Sequence, residues 1–320
     1  MEKQFVAGLK VGDIVCSEFL VTEKSLAAFA QPNRAGEQFL RLQLADVSGS
    51  IKAVAWERGP ELAGKIAVGD VVRVQGEVTN FKGLQLVVAD LSVVEPESIK
   101  KEYFLKTSPR PREEMLKELQ SVLLTVTEPA LQDLLAAFFD DEAFLRAYTE
   151  APAARSVHHN YVGGLLEHSL EVAALCGHFA SLYRQLDLSL LLAGALLHDI
   201  GKIEEYEIKG LTIEVTTRGK LHGHIMIGAE MLAQKIKKLA GFPEALYLEL
   251  LHMILAHHGQ KEWGSPVVPR TFAAYALFHA DLTSARLNQF AQATGKGAKD
   301  NGWTEWDRLL ERDIFLGLAE

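Results

Sequence analysis

The periodicity of apolar residues changes once along the chain, near residue 96, and no other feature constrains the fold as strongly. Before that point apolar and polar residues alternate. Phe39-Leu40-Arg41-Leu42-Gln43-Leu44-Ala45-Asp46 runs into the turn Val47-Ser48-Gly49-Ser50, and Ile51-Lys52-Ala53-Val54-Ala55-Trp56 resumes the alternation, which predicts a hairpin. Gly69-Asp70 precedes a strand over Val71 to Val78, and Phe81-Lys82-Gly83 turns it into Leu84 to Val88. With an opening strand around Ile14 to Val21 there are about five short strands, which suit a small closed barrel of the OB-fold kind. Pro96, Pro109 and Pro111 mark a linker over 96–111.

Beyond the linker the period becomes helical. Met115, Leu116, Leu119, Val122 and Leu123 recur at three and four, as do Leu131, Leu134, Leu135 and Phe138. Further helices are expected over 165–184, 188–199, 223–238, 244–258, 270–290 and 304–311. A small hairpin is expected from Tyr206 to Thr217, and a loop from Thr294 to Gly302. The chain therefore reads as multi-domain α+β: an N-terminal OB-fold β-barrel over 1–95, the linker, and an all-α domain over 112–320.

Charge narrows the function. The chain carries −9, with 10 basic and 12 acidic residues in 1–95 and an excess of acid in the remainder, so neither half is a basic module. Bulk electrostatics cannot coat duplex nucleic acid with such a surface. Nucleic-acid contact would rest on a local groove, on stacking or on bound cations. No apolar run reaches the ~18–20 residues needed to cross a bilayer. Leu186 to Leu197 is the richest and ends on His198 and Asp199, so it is expected to be a buried helix. The start, Met1-Glu2-Lys3-Gln4, lacks a secretion pattern, and Cys16 and Cys176 stand in unrelated segments, so a reducing cytoplasm is expected.

The strongest local signal is Leu196-Leu197-His198-Asp199-Ile200-Gly201-Lys202, an apolar helix ending in adjacent imidazole and carboxylate. A carboxylate near a helix C-terminus is disfavoured by the macrodipole, and a divalent cation reverses that balance. Other partners are His168 after Glu167, His224 at the start of a helix, the pair His257-His258 before Gly259, and Asp281 on the apolar row of Ala274, Leu277 and Ala285. Each has a plain alternative. His168 is an ordinary helix histidine, His222 replaces His224, His257-His258 cap a helix, or Asp281 pairs with Arg286. Their joint order on separate helices favours metal. Mixed nitrogen and oxygen donors suit manganese, iron, cobalt or nickel better than magnesium. His158, His159, His178, His252 and His279 stand outside the set, with His158 and His159 expected at the mouth of the cleft.

At these residues the sequence resembles the HD-domain phosphohydrolases over roughly 150–290. The resemblance implies a first metal on His168, His198, Asp199 and Asp281, and a second on Asp199 as bridge with His224, His257 and His258. It implies that Lys202 contacts a phosphate oxygen. The barrel, the proline-containing linker and the HD domain together resemble the YhaM-type 3′–5′ exoribonucleases. Leu44-Ala45-Asp46-Val47-Ser48-Gly49-Ser50-Ile51 with Trp56 carries that likeness, as do Trp306-Asp307-Arg308-Leu309-Leu310 and Ile314-Phe315-Leu316-Gly317. The implied substrate is single-stranded RNA, and single-stranded DNA as a second polymer, with manganese favoured.

On this view two divalent metals activate water for phosphodiester hydrolysis, Asp199 orients it and Lys202 stabilises the developing charge. Arg41, Lys52, Trp56, Phe81 and Lys82 are candidate strand contacts on the barrel, with Trp56 and Phe81 equally readable as packing residues. One rival is a phosphohydrolase acting on nucleotides or a cyclic nucleotide, which leaves the barrel idle. Another is a non-catalytic single-strand-binding protein with a structural metal, for which the donors are too many. The acidic surface and long helices permit a homo-oligomer without specifying one.

Overall fold

The computed structural model describes every residue except 1, 2, 30, 32, 33, 35, 155–158, 210, 296, 300, 319 and 320. Expectations for His158 therefore fall outside the described residues. The chain forms two compact units, one of residues 1–106 with 208–212 and the other of 107–207 and 213–320.

The first unit is a closed barrel of β1 (Ile14–Ala28), β2 (Gln38–Asp46), β3 (Gly49–Ala55), β4 (Val71–Asn80) and β5 (Leu84–Val93), in the order β1-β2-β3-β5-β4. Every pairing is antiparallel except β3 with β5. The alternation places Phe19, Leu40, Leu44, Val72, Val74 and Leu86 in the interior. β1 runs past Val21 through a register shift between Val21 and Glu23, which lets one strand turn the barrel corner and pair on both sides. A short helix, α1 (Gly59–Lys65), which the sequence pattern did not suggest, follows β3 and packs on β1, β2 and β5, burying Leu62 in the barrel core. Buried Asp46 accepts from Lys3 Nζ at 3.0 Å, from the Val6 and Ser48 amides at 2.9 Å each, and from Ser48 Oγ. The unit continues to Lys106 because the Val47 amide donates to the Tyr103 carbonyl at 2.8 Å and Tyr103 packs edge-on against Phe5. The proline-marked linker thus belongs in its first half to the barrel.

The second unit holds α2 (Arg112–Thr125), α3 (Pro129–Phe139), α4 (Glu142–Glu150), α5 (Gly164–Leu182), α6 (Leu188–Leu197), α7 (Lys202–Glu205), α8 (Thr217–Ile236), α9 (Glu244–Ala256) and α10 (Phe272–Thr294). A hairpin of β6 (Tyr206–Lys209) and β7 (Thr212–Val215) follows α7. Asp187, Thr216 and Thr271 cap α6, α8 and α10 by accepting from backbone amides in the first turn. Every residue of α6 after Leu188 is buried, as a helix apolar on all faces requires, and α5, α9 and α10 pack around it. The helix expected over 304–311 does not form. Asp307 accepts from the amides of Leu309 and Leu310, Trp303 bridges Phe315, and Leu310 and Ile314 pack on Ala293. A side chain that satisfies nearby amides in this way competes with the helical ladder.

Candidate metal centre

Helix ends bring the donors together. His168 stands in the opening turns of α5, His198 caps α6, and Asp199 follows before α7. His257 and His258 end α9, and Asp281 lies mid-way along α10. His224 reaches the site because Gly223, at φ 70°, breaks α8 and restarts it, a conformation only glycine adopts cheaply. Gly201 serves differently. Its φ is ordinary, but a Cβ there would lie 2.0 Å from the His224 carbonyl oxygen, so a bare backbone is what lets α7 and α8 approach.

Each imidazole is held by its Nδ1. His198 donates to the Ala195 carbonyl at 2.8 Å, His257 to the Ile254 carbonyl at 2.6 Å and His258 to the Trp263 carbonyl at 3.0 Å. His224 Nδ1 faces the Glu205 carboxylate at 3.1 Å. Ser284 Oγ gives its proton to Glu171 at 2.6 Å, so it must accept from His168 Nδ1 at 2.9 Å. With Nδ1–H committed, every Nε2 carries a lone pair, and these lone pairs converge. His168 Nε2 is 3.3 Å from His198 Nε2 and 3.1 Å from Asp281 Oδ1. The two oxygens of Asp199 divide between two groups. Oδ2 faces His198 at 3.3 Å and His168 at 3.6 Å, and Oδ1 faces His257 at 3.5 Å and His224 at 3.6 Å.

Donors this close repel unless a cation lies between them. Asp199 Oδ1, His224 Nε2 and His257 Nε2 are buried and take no hydrogen bond, a cost of ~1–3 kcal/mol each if left unmet. Two donor sets, His168 with His198 and Asp281, and His224 with His257 and His258, each span less than 4.8 Å, and Asp199 stands between them. The residues fit a pair of divalent cations.

Protonation agrees. Burial raises the Asp199 carboxyl, but Lys202 Nζ at 2.6 Å and the neighbouring His198 outweigh it and hold it well below the usual carboxylate range. Asp281 is likewise held down by His168 against its own burial. Burial lowers His168 and His257, and takes His258 to about 4, so these are neutral donors at neutral pH. His198 is burdened by the same burial, yet the charge of Asp199 lifts it above its ordinary value.

The centre opens into a cavity of about 500 Å³, lined also by Lys202, Tyr206, Trp263, Phe278 and Arg286. On the barrel, Arg41, Lys52, Trp56, Phe81 and Lys82 line one concavity of about 340 Å³. Trp56 is 39% and Phe81 63% exposed, so both faces can receive a ring, and Trp56 is steadied against Phe39 at 4.7 Å. His222 is exposed and outside the cluster, and Arg286 bonds Gln289 at 3.3 Å. His159, expected at the cleft mouth, is fully buried against His168. Sequence reasoning missed Glu205, Ser284, Glu171 and Trp263. The spacing of Ser284, three residues after Asp281 on α10, is the signal that could have exposed one of them.

The HD domain family matches residues 165–286, and the family described as OB-fold nucleic acid binding domain matches 20–94. Among solved structures, the second OB-fold domain of replication protein A from Methanococcus maripaludis is similar at 20% identity and TM-score 0.25, over 29% of this chain and 96% of that one. Asparaginyl-tRNA synthetase from Pyrococcus horikoshii is similar at 13% identity and TM-score 0.24, over 78% of this chain and 63% of that one. Both scores are too low to bear on function. The 3′–5′ exoribonuclease YhaM of Geobacillus sp. (strain WCH70) is 31% identical over 283 residues, 88% of this chain and 86% of its own length. With identity across both domains in the same order, this chain belongs to the YhaM family of 3′–5′ exoribonucleases.

Proposed function

We propose that the protein is a metal-dependent exonuclease that removes nucleotides from the 3′ end of single-stranded RNA, and of single-stranded DNA as a second substrate. One observation carries the proposal: Asp199, at the edge of a single cavity, turns one oxygen to each of two histidine sets. His168, His198, Asp199 and Asp281 would hold one divalent ion, and Asp199, His224, His257 and His258 the other, with manganese best suited to these donors. Such ions supply Lewis acidity and an activated water at neutral pH.

The chain's own groups do the rest. Lys202 lines the cavity beside Asp199 and can give a remaining N–H to a phosphate oxygen. Trp263, 46% exposed, presents a face on which the terminal base can stack, and Arg286 offers a guanidinium to the next phosphate. Arg41, Lys52 and Lys82 would track the backbone of the upstream strand while Trp56 and Phe81 stack its bases. Among the described residues no helix is long and apolar enough to cross a membrane, and Cys16 and Cys176 are free, which supports action in the cytoplasm.

The test uses 3′- and 5′-labelled single-stranded RNA with manganese, with and without chelator, beside mononucleotides. Stepwise shortening from the 3′ end, lost with chelator and in Asp199→Asn, is the expected result. Hydrolysis of mononucleotides alone, or shortening that survives Asp199→Asn, overturns the proposal.

A further inference from the structure

We infer that the helical unit carries its own track for the single strand, a ledge of aromatic rings that starts at the lip of the metal cavity and runs along α10 through Tyr275 to Phe272. The inference rests on the exonuclease reading above and adds to it the place where the nucleotides next to the 3′ end are held.

Helical spacing lays out the ledge. Tyr275, His279, Leu282 and Arg286 follow one another at four, three and four residues, so they form one stripe of α10. Leu282 and Arg286 line the cavity, as does Phe278, and the stripe then continues beyond the cavity through His279 to Tyr275. Rings are continuous across that point. Between ring centroids, Trp263 on the lip lies 6.3 Å from Phe278, Phe278 lies 4.6 Å from His279, and His279 lies 4.6 Å from Tyr275. Phe272, one turn before Tyr275, meets Tyr183 at the end of α5 at 5.9 Å. Phe278 holds the row together from below. It is buried, and a Cβ on Gly259 would lie 2.2 Å from its ring, so a bare backbone there makes room for it.

Exposure and position select the occupant. Tyr275 is 53% and Phe272 46% exposed. Scattered apolar side chains on a surface are ordinary, but a contiguous run of accessible rings marks a binding face. A strand whose last phosphodiester lies at the metals must cross the rim of the cavity. Ala153, Ala154 and Leu309, which also line it, offer neither ring nor charge. The Tyr275 side offers both, because Arg286 stands on the same stripe. Every base has a face to stack, so such a ledge serves an enzyme that must advance through any sequence. The penultimate base would lie on Tyr275 and the one before it on Phe272. A second copy of the chain is the competing occupant, and continuity with the cavity favours the strand.

The full chain with manganese is assayed on RNA from dinucleotide to hexanucleotide, with kcat and KM separated. In the wild type KM should fall as the substrate lengthens. Tyr275→Ala should raise KM for the hexanucleotide about 5–150-fold, the loss of one stacked base, with kcat retained and Tyr275→Phe restoring the wild-type value. Equal KM in wild type and Tyr275→Ala overturns the ledge and leaves the exonuclease reading intact. A wild type that hydrolyses mononucleotides alone overturns that reading, and the ledge with it. A wild-type oligomer that Tyr275→Ala turns into a monomer in analytical ultracentrifugation makes this face an interface between copies and overturns the strand assignment. Should Tyr275→Ala fail to fold, RNA carrying 5-iodouridine at its penultimate position is crosslinked to the wild type. A crosslink within 272–279 supports the ledge, and its absence overturns it.

Discussion

At the scale of single residues, the centre is built from fixed tautomers as much as from donors. Three of its histidines are anchored on backbone carbonyls and two on side chains. The donors were legible in sequence because each stands at a helix end or on an apolar row where a polar group needs a reason. The anchors were not. A backbone carbonyl has no identity in sequence, and Glu205 reads as an ordinary acidic residue of an exposed turn until His224 is folded against it. Glu205→Ala should weaken manganese binding about 10–100-fold, the usual effect of losing a ligand's outer partner. Titration calorimetry checks this, and the His168 set should be spared. Acidity should act unevenly. His198 lies above its ordinary 6.5 and takes a proton first as pH falls, whereas His258 stays neutral down to about 4. Manganese titrations at successively lower pH should lose one class of site before the other.

Elements show where pattern reading succeeds and where it stops. The barrel strands were legible because one face of each is buried, so period two survives in the sequence. α4 has nine residues, too few to announce a helical period, and was not foreseen. The segment 304–311 had the spacing of a helix, but Asp307 spends its carboxylate on the amides of Leu309 and Leu310. Gly201 has helical backbone angles, and its task is to admit the His224 carbonyl. Gly201→Ala should therefore destabilise the helical unit by about 1–3 kcal/mol, as overpacking does, and lower the manganese affinity of the His224 set, read by thermal melts and metal titration. In the barrel, burial raises Asp46, but the bonds from Ser48, Lys3 and the Val6 amide win and leave it below its usual value. Burial also keeps Lys3 below its usual range, so the convergent hydrogen bonds, rather than the charge pair, carry this contribution. A depressed carboxyl stabilises above the unfolded value of 3.8 and loses that effect as pH falls through the folded one. Asp46→Asn should cost about 1–3 kcal/mol near neutrality and less in acid, measured by urea unfolding at both pH values.

For the whole molecule, a net charge of −9 confines polymer binding to local features. If Arg41, Lys52 and Lys82 each meet one phosphate, the logarithm of single-strand affinity should fall against the logarithm of salt with a slope of about −2. Trp56→Ala should weaken binding by about 1–3 kcal/mol without changing that slope. Fluorescence anisotropy across a salt series measures both. α6 has a consequence for exchange kinetics. Enclosed on every side beyond Leu188, its C-terminal end cannot fray alone, so His198 and Asp199 share the slowest-opening cooperative block of the helical unit. Amide deuteration along α6 should then follow global unfolding, and chelator should strip the ions at a rate indifferent to mild urea until that block melts as one.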